Sequence, residues 1–273
     1  MTTFVKNITM RISIVTGYYN RKNLFYQTLR TIKKSKINDI ELIAIDDGSD
    51  DEHRLEDLVD EFPFMKIIRL EKANKWYINP CITFNIGLRE AIGEIIVLQN
   101  PECLHVHDVL SYINENVDDS KYVSMSAYGL DPALTLTLPE HLDNNTLIDF
   151  FQTLPQRAYI GGDTLGWYNH SKYRPVHFHF CSALTRTNMA KLNGFDERFA
   201  RGIGYDDDEI IARIKILGLQ LVIEDNISVI HQHHPSLWTG TNAGQLCEIN
   251  RIILQTKTLR EGKYNANLIK LWK

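Results

Sequence analysis

Two hydrophobic rhythms alternate along the first hundred residues. Short apolar runs stand at Arg11–Thr16, Ile40–Ile45, Met65–Leu70 and Gly93–Leu98. Runs this short, bounded by polar clusters, predict buried strands. Between them the apolar positions take a helical spacing, at Leu24, Phe25, Leu29 and Ile32 within Arg21–Lys36 and at Leu55, Leu58, Val59 and Phe62, and Ile82–Ile92 also reads as a helix. That spacing predicts helices. The alternation β-α-β-α-β-α-β predicts an α/β fold with a single doubly wound, mostly parallel sheet flanked by helices.

The second half is less regular. Residues 106–116 read as a helix and 128–177 as a long, loop-rich insertion. Ser182–Leu192 leads into a short helix, and Asn193–Glu209 reads as a polar loop. Glu209–Leu217 is a helix that Gly218 ends. LQLVIE and ISVIH are two strands, and Ala243–Leu259 is a closing helix. No linker separates the halves, so residues 1–273 are expected to form one domain, with halves at 1–105 and 106–273.

Doubly wound sheets bind ligands at the carboxyl ends of their strands. Three such ends here are polar: VTGYYN, DDGSDD and QNPE. In the first, Thr16 and Tyr18 offer hydroxyl and aromatic contacts to a base, or the stretch is a plain turn with Asn20 capping the next helix. In the second, Asp46 and Asp47 follow the strand directly, and the sequence does not separate them. The net charge of −4 gives no global attraction to nucleic acid or anionic membrane. The four cysteines form no CxxC pair, which argues against a zinc ribbon. The N-terminus lacks a signal-type apolar core, and no run approaches 18 apolar residues. The expected location is therefore cytoplasmic.

Four blocks, in order, resemble family 2 glycosyltransferases of the GT-A fold: ISIVTGYYNR with IELIAIDDGSDDE, FNIGLREAIGEIIVLQNPE, CSALTRTNMAKLNGFDERF and GIGYDDDEIIARI. The last also resembles the Glu-Asp-Asp-Asp segment of β-1,4-galactosyltransferases. The resemblance implies transfer of a hexose or N-acetylhexosamine from a nucleoside-diphosphate sugar, expected to be a UDP-sugar, to a glycan or glycoconjugate hydroxyl. It implies inversion in one displacement, and an acceptor site in the irregular second half.

Site residues follow from the matched positions. The family's base maps to Asp207, with Asp206 toward the acceptor sugar. Adjacent carboxylates also repel, which raises some of their pKa values and suits one to take a proton. Arg213, one turn beyond Glu209, is placed to brace the carboxylates. Asn85 is expected to order the substrate loop. Arg89, four residues on, either offsets diphosphate charge or is a surface charge. The family's Asp-x-Asp, which binds Mn2+ or Mg2+, falls on Asn100-Pro101-Glu102. Glu102 keeps a carboxylate there, while Asn100 keeps only hydrogen-bonding capacity. The metal set is completed from IHQHH, with His231 first, His233 sharing its face if the strand continues, and His234 as the remaining candidate. Lys72, Asn74, Lys75, Trp76 and Tyr77 form a loop suited to cover the nucleotide. Trp167, Tyr168 and Trp238 are candidates for stacking on sugars, or core aromatics. The histidines of HFHF (His177–Phe180) read equally as structural.

Two other readings compete. One is a weakened GT-A module that binds a sugar nucleotide without turnover, against which the Asp207 block argues. The other is a nucleotidyltransferase, against which VTGYYNRKN argues, because it is not a phosphate-binding glycine loop.

Overall fold

A computed structural model describes residues 12–235 and 242–267. Its centre is a nine-stranded sheet. In chain order the strands are β1 (Ile12–Tyr18), β2 (Ile40–Asp46), β3 (Met65–Arg69), β4 (Ile95–Gln99), β5 (Cys103–His105), β6 (Lys121–Gly129), β7 (Gly166–Asn169), β8 (Cys181–Thr185) and β9 (Gln220–His231). Their spatial order is β3-β2-β1-β4-β8-β6-β9-β5, with β7 on β6. The first four strands pair in parallel, as the alternating sequence predicts. Beyond β4 the pairings are antiparallel, except β6 with β9.

The parallel strands are rich in consecutive apolar residues because both faces of the sheet are covered. Ile12, Ile14, Leu42, Ala44, Ile95 and Val97 face a core shared with α1 (Lys22–Lys33). Their neighbours Val15, Ile43, Ile45, Ile96 and Leu98 face the opposite core, shared with α2 (Cys81–Glu90), α6 (Arg186–Leu192) and α7 (Asp206–Ile216). Two glycines let α2 lie close to β1: a Cβ on Gly17 would strike Thr83 Oγ1, and one on Gly87 would strike Val15. Gly17 therefore serves contact with α2, and β1 runs on to Tyr18.

Several expected elements differ. Leu55, Leu58 and Phe62 are buried as their spacing requires, but the segment holds only two short 3-10 turns, Asp51–His53 and Glu56–Leu58, in place of a helix. The step of three from Leu55 to Leu58 suits a 3-10 turn as well as an α-helix, and Pro63 stops the segment. The stretch read as loop-rich, 128–177, contains two helices, α4 (Pro132–Asp143) and α5 (Leu147–Gln152). Asp131 caps α4 by accepting from the Leu134 N–H, and Pro132 sits in the first turn, where proline is tolerated. Leu138 and Leu142 then pack with Tyr128 and Trp167 in a third apolar cluster. The remaining α-helices are α3 (Val109–Asn116) and α8 (Ala243–Ile252), and α8 passes directly into a π-helical stretch, Ile253–Arg260, so the expected closing helix changes type midway. LQLVIE and ISVIH join as the one strand β9, paired to β6 with a register shift in mid-strand. HFHF is irregular chain leading into β8. Among the described residues no helix is long and apolar enough to cross a membrane.

Candidate functional site

The QNPE stretch is the turn that carries the chain from the middle of the sheet to its far edge. β4 ends at Gln99, the Asn100 carbonyl accepts from the Cys103 N–H (3.0 Å), and β5 begins at once. β5 pairs with β9 in a register that sets Cys103 opposite His231. That pairing brings Glu102 beside a segment 130 residues away. Glu102 Oε1 lies 3.1 Å from His231 Nε2 and 3.2 Å from His234 Nε2. Oε2 accepts from Arg21 Nη1 at 2.7 Å. Gln232 secures the backbone, because its N–H and side-chain amide both donate to the Glu102 carbonyl.

Glu102 is only 2% exposed. Burial alone would raise its carboxyl, but Arg21, His234 and His231 outweigh it and hold the group well below the usual carboxylate range. Burial lowers His231, against the pull of Glu102. An ionised carboxylate beside a neutral imidazole is the state a divalent ion needs. The ligand atoms of Glu102, His231 and His234 lie within 4.8 Å of one another. Two imidazoles and a carboxylate therefore fit a divalent transition metal. His233 points elsewhere. β9 stops at His231, so period-two alternation no longer applies, and His233 Nε2 meets Asp163 at 2.8 Å. The third candidate, His234, takes the place expected of His233.

The acidic run Asp206–Glu209 opens α7, after Tyr205 in the left-handed region. Its members diverge. Glu209 is fully buried and forms a two-pronged ion pair with Arg213 (2.7 and 2.6 Å), which also donates to the Leu192 and Gly194 carbonyls. The brace expected of Arg213 thus falls on Glu209. Asp206 accepts from Asn79 Nδ2 at 2.8 Å. Burial, then the charge of Asp207, raises the Asp206 carboxyl to about 6. Asp207 stays partly open, its side chain 24% exposed. Its Oδ1 accepts from the His179 backbone N–H (3.1 Å) and lies 2.5 Å from His179 Nδ1.

One dipeptide joins the two clusters. His179 holds Asp207, and the carbonyl of the next residue, Phe180, accepts from the Asn100 N–H at 3.1 Å. The Phe180 ring also stands edge-on to His231, with centroids 5.8 Å apart.

The nucleotide-side expectations divide. Tyr18 is withdrawn from that role: it is fully buried, packs on Phe25 and donates its hydroxyl to the His53 carbonyl. Thr16 is equally buried, because β1 is a central strand covered on both faces. Asp46 and Asp47 become distinct. Asp46 accepts from the Ser49 N–H and pairs with Arg69, so it shapes the turn. Asp47 accepts from Tyr77 Oη (2.6 Å) and Lys75 Nζ (2.5 Å), both from the loop expected to cover a nucleotide. Lys75 also stands over the Tyr19 ring, 4.9 Å from its centroid. Asn20 does not cap α1. Its φ is 48°, and its amide joins Asp50 across the two strand ends.

Asn85 is buried and clamps Phe195 through both backbone groups, accepting from its N–H and donating to its carbonyl. Arg89, in the last turn of α2, approaches Glu197 at 3.6 Å. Trp167 is a core residue, its indole N–H donating to Gln156. Tyr168 is half-buried and stands edge-on to His231, 4.7 Å between centroids. Trp238 lies outside the described residues. Sequence reasoning passed over Arg21, Asn79 and the role of His179. The alternating HFHF offered the one local signal for the last.

The comparisons agree with this architecture. The model of glycosyl transferase family 2 matches residues 13–156, and that of the N-terminal domain of galactosyltransferase matches residues 173–235. Among curated proteins none matches the sequence. Solved structures with similar folds include the mannosyltransferase PcManGT from Pyrobaculum calidifontis in complex with GDP-Man and Mn2+, at 15% identity and TM-score 0.56, covering 85% of this chain and 59% of that one. S. aureus TarS 1-349 in complex with UDP-GlcNAc matches at 11% identity and TM-score 0.59, covering 93% of this chain and 69% of that one. GalNAc-T7 with UDP, GalNAc and Mn2+ matches at 15% identity and TM-score 0.57, covering 90% and 48%. This chain thus spans only 59% of the length of the first of these proteins and 48% of the last. With the family model matching more than half of its residues, the chain belongs to glycosyl transferase family 2, and its fold is GT-A.

Proposed function

We propose that the protein is an inverting glycosyltransferase that moves a hexose or N-acetylhexosamine from a UDP-sugar to a hydroxyl of a glycan or glycoconjugate. The observation that carries this reading is the link through His179 and Phe180 between a metal-type cluster, Glu102-His231-His234, and a partly exposed carboxylate, Asp207. One cluster suits the leaving diphosphate and the other suits the attacking hydroxyl.

In the proposed reaction Asp207 takes the acceptor hydroxyl proton as the oxygen bonds to the anomeric carbon. The bond from that carbon to the phosphate oxygen breaks on the opposite face, and the nucleoside diphosphate leaves with the electron pair. Asp206, held by Asn79, borders the acceptor sugar. Glu102, His231 and His234 would hold Mn2+, or less readily Mg2+, with Arg21 steadying the second carboxylate oxygen. When bound, such an ion offsets the charge that develops on the leaving diphosphate. Asp47, Lys75 and Tyr77 border the nucleoside, Asn100 lines the diphosphate end, and Tyr168 faces the sugars. Residues 1–273 act as one domain, with the nucleotide half at 1–105 and the acceptor half at 106–273.

The test is UDP release from a panel of UDP-sugars, with and without Mn2+, by the wild type and Asp207→Asn. Turnover that survives Asp207→Asn removes Asp207 as base. UDP binding without any turnover favours a binding module instead.

A further inference from the structure

The described residues hold a second group that the reaction above leaves without a role, the imidazole of His179. It is buried at 5% exposure and wedged edge-on between Phe84 and Phe195, with centroids 4.8 and 5.0 Å away. Phe195 is the residue that Asn85 clamps, so the cradle is fixed from behind. A buried imidazole in an aromatic slot needs a polar partner. Its Nδ1 lies 2.5 Å from Asp207 Oδ1, a contact of charge rather than an aligned hydrogen bond. The backbone N–H of the same residue reaches the same oxygen. Among the described residues Asp207 Oδ2 takes no hydrogen bond.

We propose that His179 is a positioning residue for Asp207: its ring and backbone N–H hold Oδ1, so that Oδ2 is the oxygen turned to the acceptor hydroxyl. This rests on the reading of Asp207 as base. A carboxylate free to rotate presents either oxygen in several poses, whereas one pinned at Oδ1 presents Oδ2 in a single direction. Orientation of this kind affects the chemical step more than substrate binding. The ring's charge fits the role. Burial would lower His179, but Asp207 and then Asp206 outweigh it and raise the imidazole above its ordinary value. The titratable groups facing the ring are Asp206 and Asp207 on α7. Asp208 beyond them, Tyr122 on β6 and Cys81 on α2 feel the same carboxylates.

The test compares the wild type with His179→Gln, His179→Phe and Asp207→Asn in the full chain. The side-chain imidazole signals are followed by NMR against pH, with the His179 signal assigned by its loss in His179→Gln. The ring is expected to hold its proton to higher pH in the wild type than in Asp207→Asn. Equal titration in both overturns the proposal. UDP release from the best of UDP-glucose, UDP-galactose, UDP-GlcNAc and UDP-GalNAc gives the second readout. Both His179 variants are expected to lose roughly tenfold or more in kcat, with KM changed less than about twofold. Restoration by His179→Phe, which refills the aromatic slot without a nitrogen, would reduce the residue to packing and overturn the proposal. So would two bound equivalents of Mn2+ in the wild type against one in His179→Gln, because the ring would then be a ligand. The failures are separable. Turnover that survives Asp207→Asn sinks the base assignment itself, whereas an inactive Asp207→Asn with wild-type behaviour in both His179 variants sinks only this proposal.

Discussion

Glu102 and His231 stand 129 positions apart in the chain, yet Oε1 and Nε2 are 3.1 Å apart because β5 pairs with the end of β9. The contact exists only because the chain passes from β4, in mid-sheet, to the edge strand β5 within the three residues Asn100–Glu102. Metal binding should therefore depend on this pairing. Glu102→Ala and His234→Ala should each weaken Mn2+ binding about tenfold or more, while His233→Ala leaves it unchanged. Isothermal titration with Mn2+ and UDP distinguishes the three. An effect of His233→Ala equal to that of His234→Ala would contradict the ligand set.

Two nitrogen ligands also set the order of metals. Imidazole suits Mn2+, Co2+ and Zn2+ better than Mg2+ or Ca2+. Mn2+ should bind more tightly than Mg2+ in the same titration. A preference for Mg2+ would argue for an all-oxygen site elsewhere.

Asp207→Asn should lower turnover about 10²–10⁴-fold while UDP affinity stays within about twofold. The variant keeps an acceptor atom at Oδ1 for the His179 N–H, so folding should be little affected. Single-turnover measurement of UDP release beside UDP titration gives both numbers.

Asp206 makes stability depend on pH. Burial and the charge of Asp207 place its folded pKa at about 6, above the unfolded value of 3.8. The folded state then binds the proton more tightly, so this group's stabilising contribution is full at low pH. It is lost as pH rises between about 4 and 6. Asp206→Asn should remove that slope and be the more stable form above pH 6, by on the order of 2 kcal/mol. Urea unfolding at pH 4.5 and pH 7 measures the difference, and an unchanged slope in the variant would refute the assignment.

Asn85→Ala should cost about 2–3 kcal/mol, because it leaves the buried Phe195 N–H and carbonyl without their partner. Tyr18→Phe, which loses only the hydroxyl bond to His53, should cost about 1 kcal/mol and leave UDP affinity unchanged. Altered UDP affinity in Tyr18→Phe would return that residue to the nucleotide site.

Much of this molecule is written locally. The four apolar runs made parallel strands because a sheet covered on both faces favours apolar side chains at successive positions, as Val15 beside Ile14 shows. The apolar spacing after Glu209 predicted α7, and the acidic run before it extends the helix back to Asp206, because acidic side chains favour a helix N-terminus. What local pattern left undivided was the work of each carboxylate and histidine. Asp46 and Asp47 are chemically identical neighbours, yet one turns inward to Arg69 and the other outward to Tyr77 and Lys75. His233 and His234 separated because β9 ends two residues earlier. His179 met Asp207 because irregular chain before β8 lies against the first turn of α7. By itself the sequence determined which elements form and which polar groups stand at their ends, since periodicity and capping act over a few residues. Only the tertiary structure decided which of those groups meet, since strand register and helix packing set distances between residues remote in the chain.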